Sequence, residues 1–330
     1  TYLLYAFCLL TFVVSLCYMN WRGILGGVAI FLLFTYGLFL RVIMTEKLYH
    51  YLIKIICGLS VLSSLYAMTQ MWHIWPLTTD YRAYSTFFNP NYYATIAGFV
   101  ILLCVYKLSC FKGGRLFYFI CMLFNLVGVV STGCRTAWLA LGVGVVAMLF
   151  FQKRYKWMVG IAVLGAAVLV IGIVQPDWIP RFDSIGYSAT DRFRIWESGA
   201  SVLPDSLWVG KGLYTYYYSV LHQTVDFMVN KPHSHNLYLD FLLNFGIVGC
   251  AMLLIVLAGL IRAVAIKVRR GCPSRVWTVM AGIFIGILVH GITDVTILGV
   301  ETSIMMVTLF SGVGIYENYK VPKQTPVLAE

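Results

Sequence analysis

Apolar runs long enough to cross a bilayer follow one another along nearly the whole chain, separated by short polar connections. A hydrocarbon layer of about 30 Å takes about 20 helical residues to span. The pattern predicts such spans near 2–19, 23–43, 51–71, 92–108, 116–132, 136–151, 157–175, 237–261, 277–293 and 300–316. The fold class is therefore an all-α, polytopic membrane protein of about ten transmembrane helices. One long connection, Pro176 to Ser234, interrupts the series between the seventh and eighth helices. The chain divides accordingly into residues 1–175 with helices one to seven, 176–235 as the loop, and 236–330 with helices eight to ten and a tail.

Composition agrees with the pattern: of 330 residues 60% are hydrophobic and only 11% charged, with mean hydropathy +0.83, which excludes a soluble globular domain. Charge then orients the spans. Arg41, Lys47, Lys54, Lys107, Lys112, Arg115, Lys153, Arg154, Lys156, Arg262, Lys267, Arg269, Arg270, Arg275, Lys320 and Lys323 all fall on one side, against the acids Glu46, Glu317 and Glu330. That side is expected to be the cytoplasm, since basic loops stay inside. Its balance of +13 against −2 on the other side makes up the net charge of +11. The basic character thus reflects membrane topology, and no nucleic-acid motif accompanies it. Nine cysteines, mostly within apolar spans and none between Gln175 and His235, offer no disulfide framework for the loop.

The outer side carries the chemistry. Thr190 to Leu203 reads as a short helix, with Thr190 or Asp191 as N-cap and Pro204 as its stop. A turn-rich stretch with Gly210 and Gly212 follows, then Tyr214, Tyr216, Tyr217 and Tyr218, which suit a headgroup-level belt or a sugar-stacking surface. His233-Ser234-His235-Asn236 joins the loop to the eighth span. There His235 meets the positive end of a helix dipole, which favours a neutral imidazole able to act as a base. A histidine merely capping a helix is the alternative. Gly246 and Gly249, three apart, predict close approach of a neighbouring helix. Arg135, at a turn between two spans, either snorkels to the surface or binds an anion with its planar fork. Asp240 and Asp294 are interfacial acids and functional candidates, or else partners of arginines. Asp240 lies four residues after Asn236, on the same helical face, which suits a supporting role. No Asp-x-Asp pair or acid and histidine cluster with metal-ligand spacing is visible, so no metal and no cofactor is expected.

The order His235-Asn236, nine residues, Gly246-x-x-Gly249 resembles the signature of the O-antigen ligase family, which includes O-antigen polymerases and protein O-oligosaccharyltransferases. Phe88-Asn89-Pro90-Asn91 opening a helix, Ser131-Thr132-Gly133-Cys134-Arg135 at a helix turn, and Arg192 with Trp196 are similar to further family segments in the same order. Together they span about half the chain. The resemblance implies a metal-independent, inverting glycosyltransferase of the bacterial plasma (inner) membrane, with its active site on the periplasmic face. Its donor would be a glycan on undecaprenyl diphosphate, and its acceptor a lipid A-core sugar, the end of a growing polymer or a protein hydroxyl. His235 would be the catalytic base, and Arg135, Arg192 and Arg194 would contact the diphosphate. Asn89, Asn91, Asn236, Asp240 and Lys211 would support the site. Membrane lipids are the remaining partners. Family ligases have about twelve spans, so two further spans are expected before Thr1. The rival from another class is a secondary transporter, which would place its ionisable residues at mid-membrane in two related halves; here they gather at the outer edge. A non-catalytic scaffold of a polysaccharide assembly is the third reading.

Overall fold

The computed structural model describes residues 1–72, 81–175, 185–221 and 231–320. Residues 176–184 and 222–230 of the expected loop and the tail residues Lys323 and Glu330 lie outside these residues. Among the described residues the protein is helical throughout, without strands. Seven apolar helices come first: α1 (Tyr2–Cys17), α2 (Trp21–Ile43), α3 (Glu46–Trp72), α4 (Pro90–Cys110), α5 (Arg115–Ser131), α6 (Arg135–Phe151) and α7 (Tyr155–Val174). The loop contributes α8 (Ile185–Val202), a 3-10 turn (Pro204–Ser206) and α9 (Thr215–Leu221). The chain closes with α10 (Leu237–Arg269), α11 (Val276–His290), a 3-10 turn (Thr296–Leu298), α12 (Val300–Phe310) and α13 (Val313–Glu317).

Among the described residues five helices, α2, α3, α4, α7 and α10, are long and apolar enough to cross a membrane, and α1, α5, α6 and α11 are shorter apolar helices. The expected last span, 300–316, is instead two pieces that break at Ser311 and Gly312. The eighth span runs further than expected, to Arg269.

The helices end in two groups. At one end Arg41 pairs with Glu317, Lys267 Nζ donates to the Tyr319 carbonyl and Arg154 donates to the Ser109 carbonyl. At the other end, the Asn20 side chain bonds the Lys211 and Leu213 carbonyls, the Ala83 amide bonds the Ser131 carbonyl, and the Leu237 amide bonds the Gly291 carbonyl. Asparagines start three helices there. Asn20 accepts from the Gly23 amide, Asn89 from Asn91 and Asn236 from Leu239, which satisfies amides that the helices leave unpaired. Pro90 suits the first helical position because its missing N–H would have no partner.

α4 is the buried centre of the bundle. Its Phe99, Val100, Leu103 and Tyr106 pack with residues of α3, α5, α6 and α11 in the largest apolar core. α6 and α11 cross at Gly144 and Gly282, where a Cβ on either would lie 2.7–2.8 Å from the other's carbonyl oxygen. Only small residues permit that approach. α7 is exposed along nearly its whole apolar length, as expected of a surface that faces lipid.

Two elements differ from the sequence reading for local reasons. α8 spans Ile185–Val202, so Thr190 lies inside it, with its hydroxyl donating back to the Gly186 carbonyl instead of capping the helix. Tyr216 is no belt residue: it is buried with Ile195, Val202, Val220 and Leu243, and so joins α9 to α8 and α10.

Candidate active site

α10 does not run unbroken. Gly246 has φ +63° and ψ −175°, and the opened turn accepts a stretch of the loop. The Ile247 and Val248 amides bond the Leu207 and Trp208 carbonyls, while the Lys211 and Gly212 amides bond the Leu243 and Asn244 carbonyls. A Cβ at Gly246 would lie 2.4 Å from the Trp208 carbonyl carbon. The expected helix contact at this glycine is thereby corrected: Gly246 breaks the helix and admits a loop. Gly249 does face a helix, since a Cβ there would lie 3.3 Å from the Phe7 ring of α1. The break anchors the loop beside the start of α10, and that start carries the histidines.

The turn before α10 is held from below. Asp240 accepts from the Ser234 amide at 2.9 Å and from the Asn244 side chain at 3.0 Å, and Asn244 in turn accepts from the Thr215 amide. Asp240 therefore shapes the turn rather than facing a substrate. Asn236 caps α10 and its amide also reaches the Ile292 carbonyl. Between these anchors His235 adopts φ +50°, uncommon for a residue with a Cβ. Its Nδ1 lies 3.3 Å from Asp294 Oδ1. His233 sits edge-on to it with ring centroids 4.3 Å apart, and His233 Nε2 is 3.9 Å from the same oxygen.

Asp294 is buried, in the connection between α11 and α12. It also accepts from the Val295 amide at 2.8 Å and from the Asn91 amide. Asn91 accepts from Arg82, whose Nε donates to the Thr132 carbonyl at 2.7 Å. Burial works to raise the Asp294 carboxyl, but the His235 hydrogen bond and the imidazoles of His235, His233 and His290 outweigh it and hold it well below the usual carboxylate range. Burial also pushes His233 below the ordinary imidazole range, against the pull of Asp294 and Asp240. A charged carboxylate facing His235 Nδ1 fixes the neutral tautomer with the proton on Nδ1, which leaves Nε2 as the basic atom.

α8 reaches this cluster with one face. Ser188, Arg192 and Trp196 follow one another at intervals of four, one turn apart. Ser188 Oγ accepts from Arg135 Nη2 at 3.3 Å. Arg192 Nε donates to the Thr293 carbonyl, next to Asp294, at 3.1 Å, and its Nη1 to the Ser188 carbonyl at 3.4 Å. Trp196 Nε1 donates to the His235 carbonyl at 3.3 Å. Arg135, Arg192 and His235 are thus arranged along one helix, at one end of the bundle.

The other expected residues divide. Asn89 caps α4, and Asn91 lies in the hydrogen-bond chain to Asp294. Arg194 is exposed on α8, off the face of Arg192. Lys211, expected to support the site, lies 3.7 Å from Asp205 and faces the Tyr18 ring. Arg82, His233 and Ser188 were not singled out by the sequence. The signals available were an arginine in the connection just before Asn89 and a second histidine two residues before His235.

The fold also assembles what no spacing along the chain displays. Ligand atoms of His233, His235 and Asp294 lie within 4.8 Å of one another, a set of two imidazoles and a carboxylate that could hold a divalent cation. One contact argues for proton sharing instead. The His235 amide donates to His233 Nδ1 at 3.2 Å, so neutral His233 carries its proton on Nε2, the atom turned to Asp294.

Residues 117–254 match the family model described as O-antigen ligase. No curated protein matches the chain. The matched stretch runs from α5 through α8 to the helix break in α10, and so takes in Arg135, Arg192, His235, Gly246 and Gly249.

Proposed function

We propose that this protein belongs to the O-antigen ligase family, whose model matches residues 117–254, and transfers a glycan from undecaprenyl diphosphate to an acceptor hydroxyl, a lipid A-core sugar or a similar group, at the outer face of the bacterial inner membrane. The basic connections, read as cytoplasmic, gather at the opposite end of the bundle, which supports an outer position for the end that holds His235. The observation that carries the reading is the register of α8. One face of it touches Arg135 through Ser188, the backbone beside Asp294 through Arg192, and His235 through Trp196.

His235 Nε2 removes the proton of the acceptor hydroxyl as its oxygen attacks the anomeric carbon. Asp294, bonded to Nδ1, holds the ring and stabilises the imidazolium that forms. Arg135 and Arg192 hold the diphosphate and offset the charge that grows on it as the glycosidic bond breaks, from positions fixed before the reaction. The leaving group departs as undecaprenyl diphosphate, direct attack inverts the anomeric centre, and no metal takes part. A polymerase or a protein O-oligosaccharyltransferase would use the same donor side with a different acceptor.

The test uses purified protein in nanodiscs with a lipid-linked glycan donor. His235→Ala should lower transfer about 10²–10⁴-fold, the usual contribution of a general base, with donor affinity and melting temperature near parental. EDTA should leave the parental rate unchanged. A folded His235→Ala protein that transfers at the parental rate would remove His235 from the chemistry.

A further inference from the structure

We propose that His233 is a positioning residue for the transfer reaction, through its hydrogen bond to the His235 backbone amide rather than through its place beside Asp294. The inference rests on the reading of His235 as the base.

Three observations carry it. His235 has a left-handed backbone, φ +50°, which a residue with a Cβ adopts rarely and keeps only when its surroundings hold it there. Its amide has one side-chain acceptor, His233 Nδ1, at 3.2 Å. Its carbonyl accepts from Trp196 Nε1 at 3.3 Å, so the peptide groups on both sides of the Cα are tied by side chains. The backbone angle sets the direction of the Cα–Cβ bond and so decides whether Nδ1 meets Asp294 at 3.3 Å. His233 therefore aims the ring, and its other nitrogen is the weaker contact, 3.9 Å from the carboxylate.

The two nitrogens of His233 can be tested separately. The side-chain oxygen of an asparagine falls where Nδ1 stands and accepts a hydrogen bond; the amide of a glutamine reaches where Nε2 stands and can donate to Asp294. His233→Ala should reduce kcat on the order of 10²-fold, the effect of misplacing a reacting group by about 1 Å, with donor KM little changed. His233→Asn should recover most of that rate, and His233→Gln should not. Hydrogen exchange gives a readout independent of turnover: the His235 amide should be protected in the parental protein and in His233→Asn, and exchange faster in His233→Ala and His233→Gln.

Recovery by glutamine and not asparagine would overturn the proposal in favour of the Asp294 contact. Parental kcat in His233→Ala would overturn it outright, as would equal loss in all three variants with unchanged amide protection. The failure of the base assignment is distinguishable: His235→Ala at the parental rate sinks that reading, whereas an inert His235→Ala beside an unaffected His233→Ala sinks only this one.

Discussion

Asp294→Asn tests the buried carboxylate with the smallest change of shape. In the protein Asp294 Oδ1 faces the Val295 amide at 2.8 Å, His235 Nδ1 at 3.3 Å and His233 Nε2 at 3.9 Å, while Oδ2 accepts from Asn91. Every neighbour is a donor. An asparagine offers one acceptor oxygen and one donor NH2, so one of its two ends must face donors. If the oxygen keeps the Val295 amide and His235, the NH2 opposes the Asn91 amide. If it turns, His235 must accept at Nδ1, which puts the ring proton on Nε2 and abolishes the base. Either arrangement leaves a buried donor unpaired, at about 1–3 kcal/mol. The second also removes general-base catalysis, and loss of the correct tautomer in other enzymes lowers turnover about 10⁴-fold. We therefore expect kcat to fall about 10³–10⁴-fold, or roughly 4–5.5 kcal/mol of transition-state stabilisation, with a lower melting temperature. Donor affinity should change little, because Arg135 and Arg192 are untouched. The assay is single-turnover transfer by nanodisc-embedded protein, followed by mass spectrometry of the product, with donor binding and thermal unfolding measured on the same samples. Parental kcat in a folded Asp294→Asn protein would refute the tautomer argument and the role given to Asp294.

Arg135→Ala and Arg192→Ala should each weaken donor binding as well as transfer, because a diphosphate clamp acts in ground and transition states alike; lysine at either position should not restore both, since an ammonium lacks the bidentate fork, and donor titrations of the four variants check this. Gly246→Ala should lower the melting temperature sharply, because its Cβ would lie 2.4 Å from the Trp208 backbone at a positive φ, whereas Gly98→Ala, which meets nothing within 4 Å, should leave it near parental.

The helical class and most helix positions were legible because a spanning helix is a local property: about 20 apolar residues satisfy their own backbone and need no distant partner. α2, α4, α5, α6 and α7 lie within a few residues of the expected spans for that reason. The resemblance to the O-antigen ligase family was legible too, because its signature is a short spacing, His235-Asn236 to Gly246 and Gly249, and these residues lie within the stretch 117–254 that the family model matches. What the sequence could not contain was the pairing of segments far apart along it. Asp294 stands 59 residues from His235 and 203 from Asn91, and hydrophobic periodicity carries no information about which polar residues meet at a bundle end. The register of α8 against α10 and the α11–α12 connection decides that Arg192 and Trp196 face the cluster while Arg194 faces away. Gly246 was read as a packing glycine because spacing alone does not distinguish a helix that meets a helix from one that opens to admit a loop. Only the tertiary fold decides it, through backbone groups of Leu207, Trp208, Lys211 and Gly212 that find their hydrogen-bond partners on the broken turn.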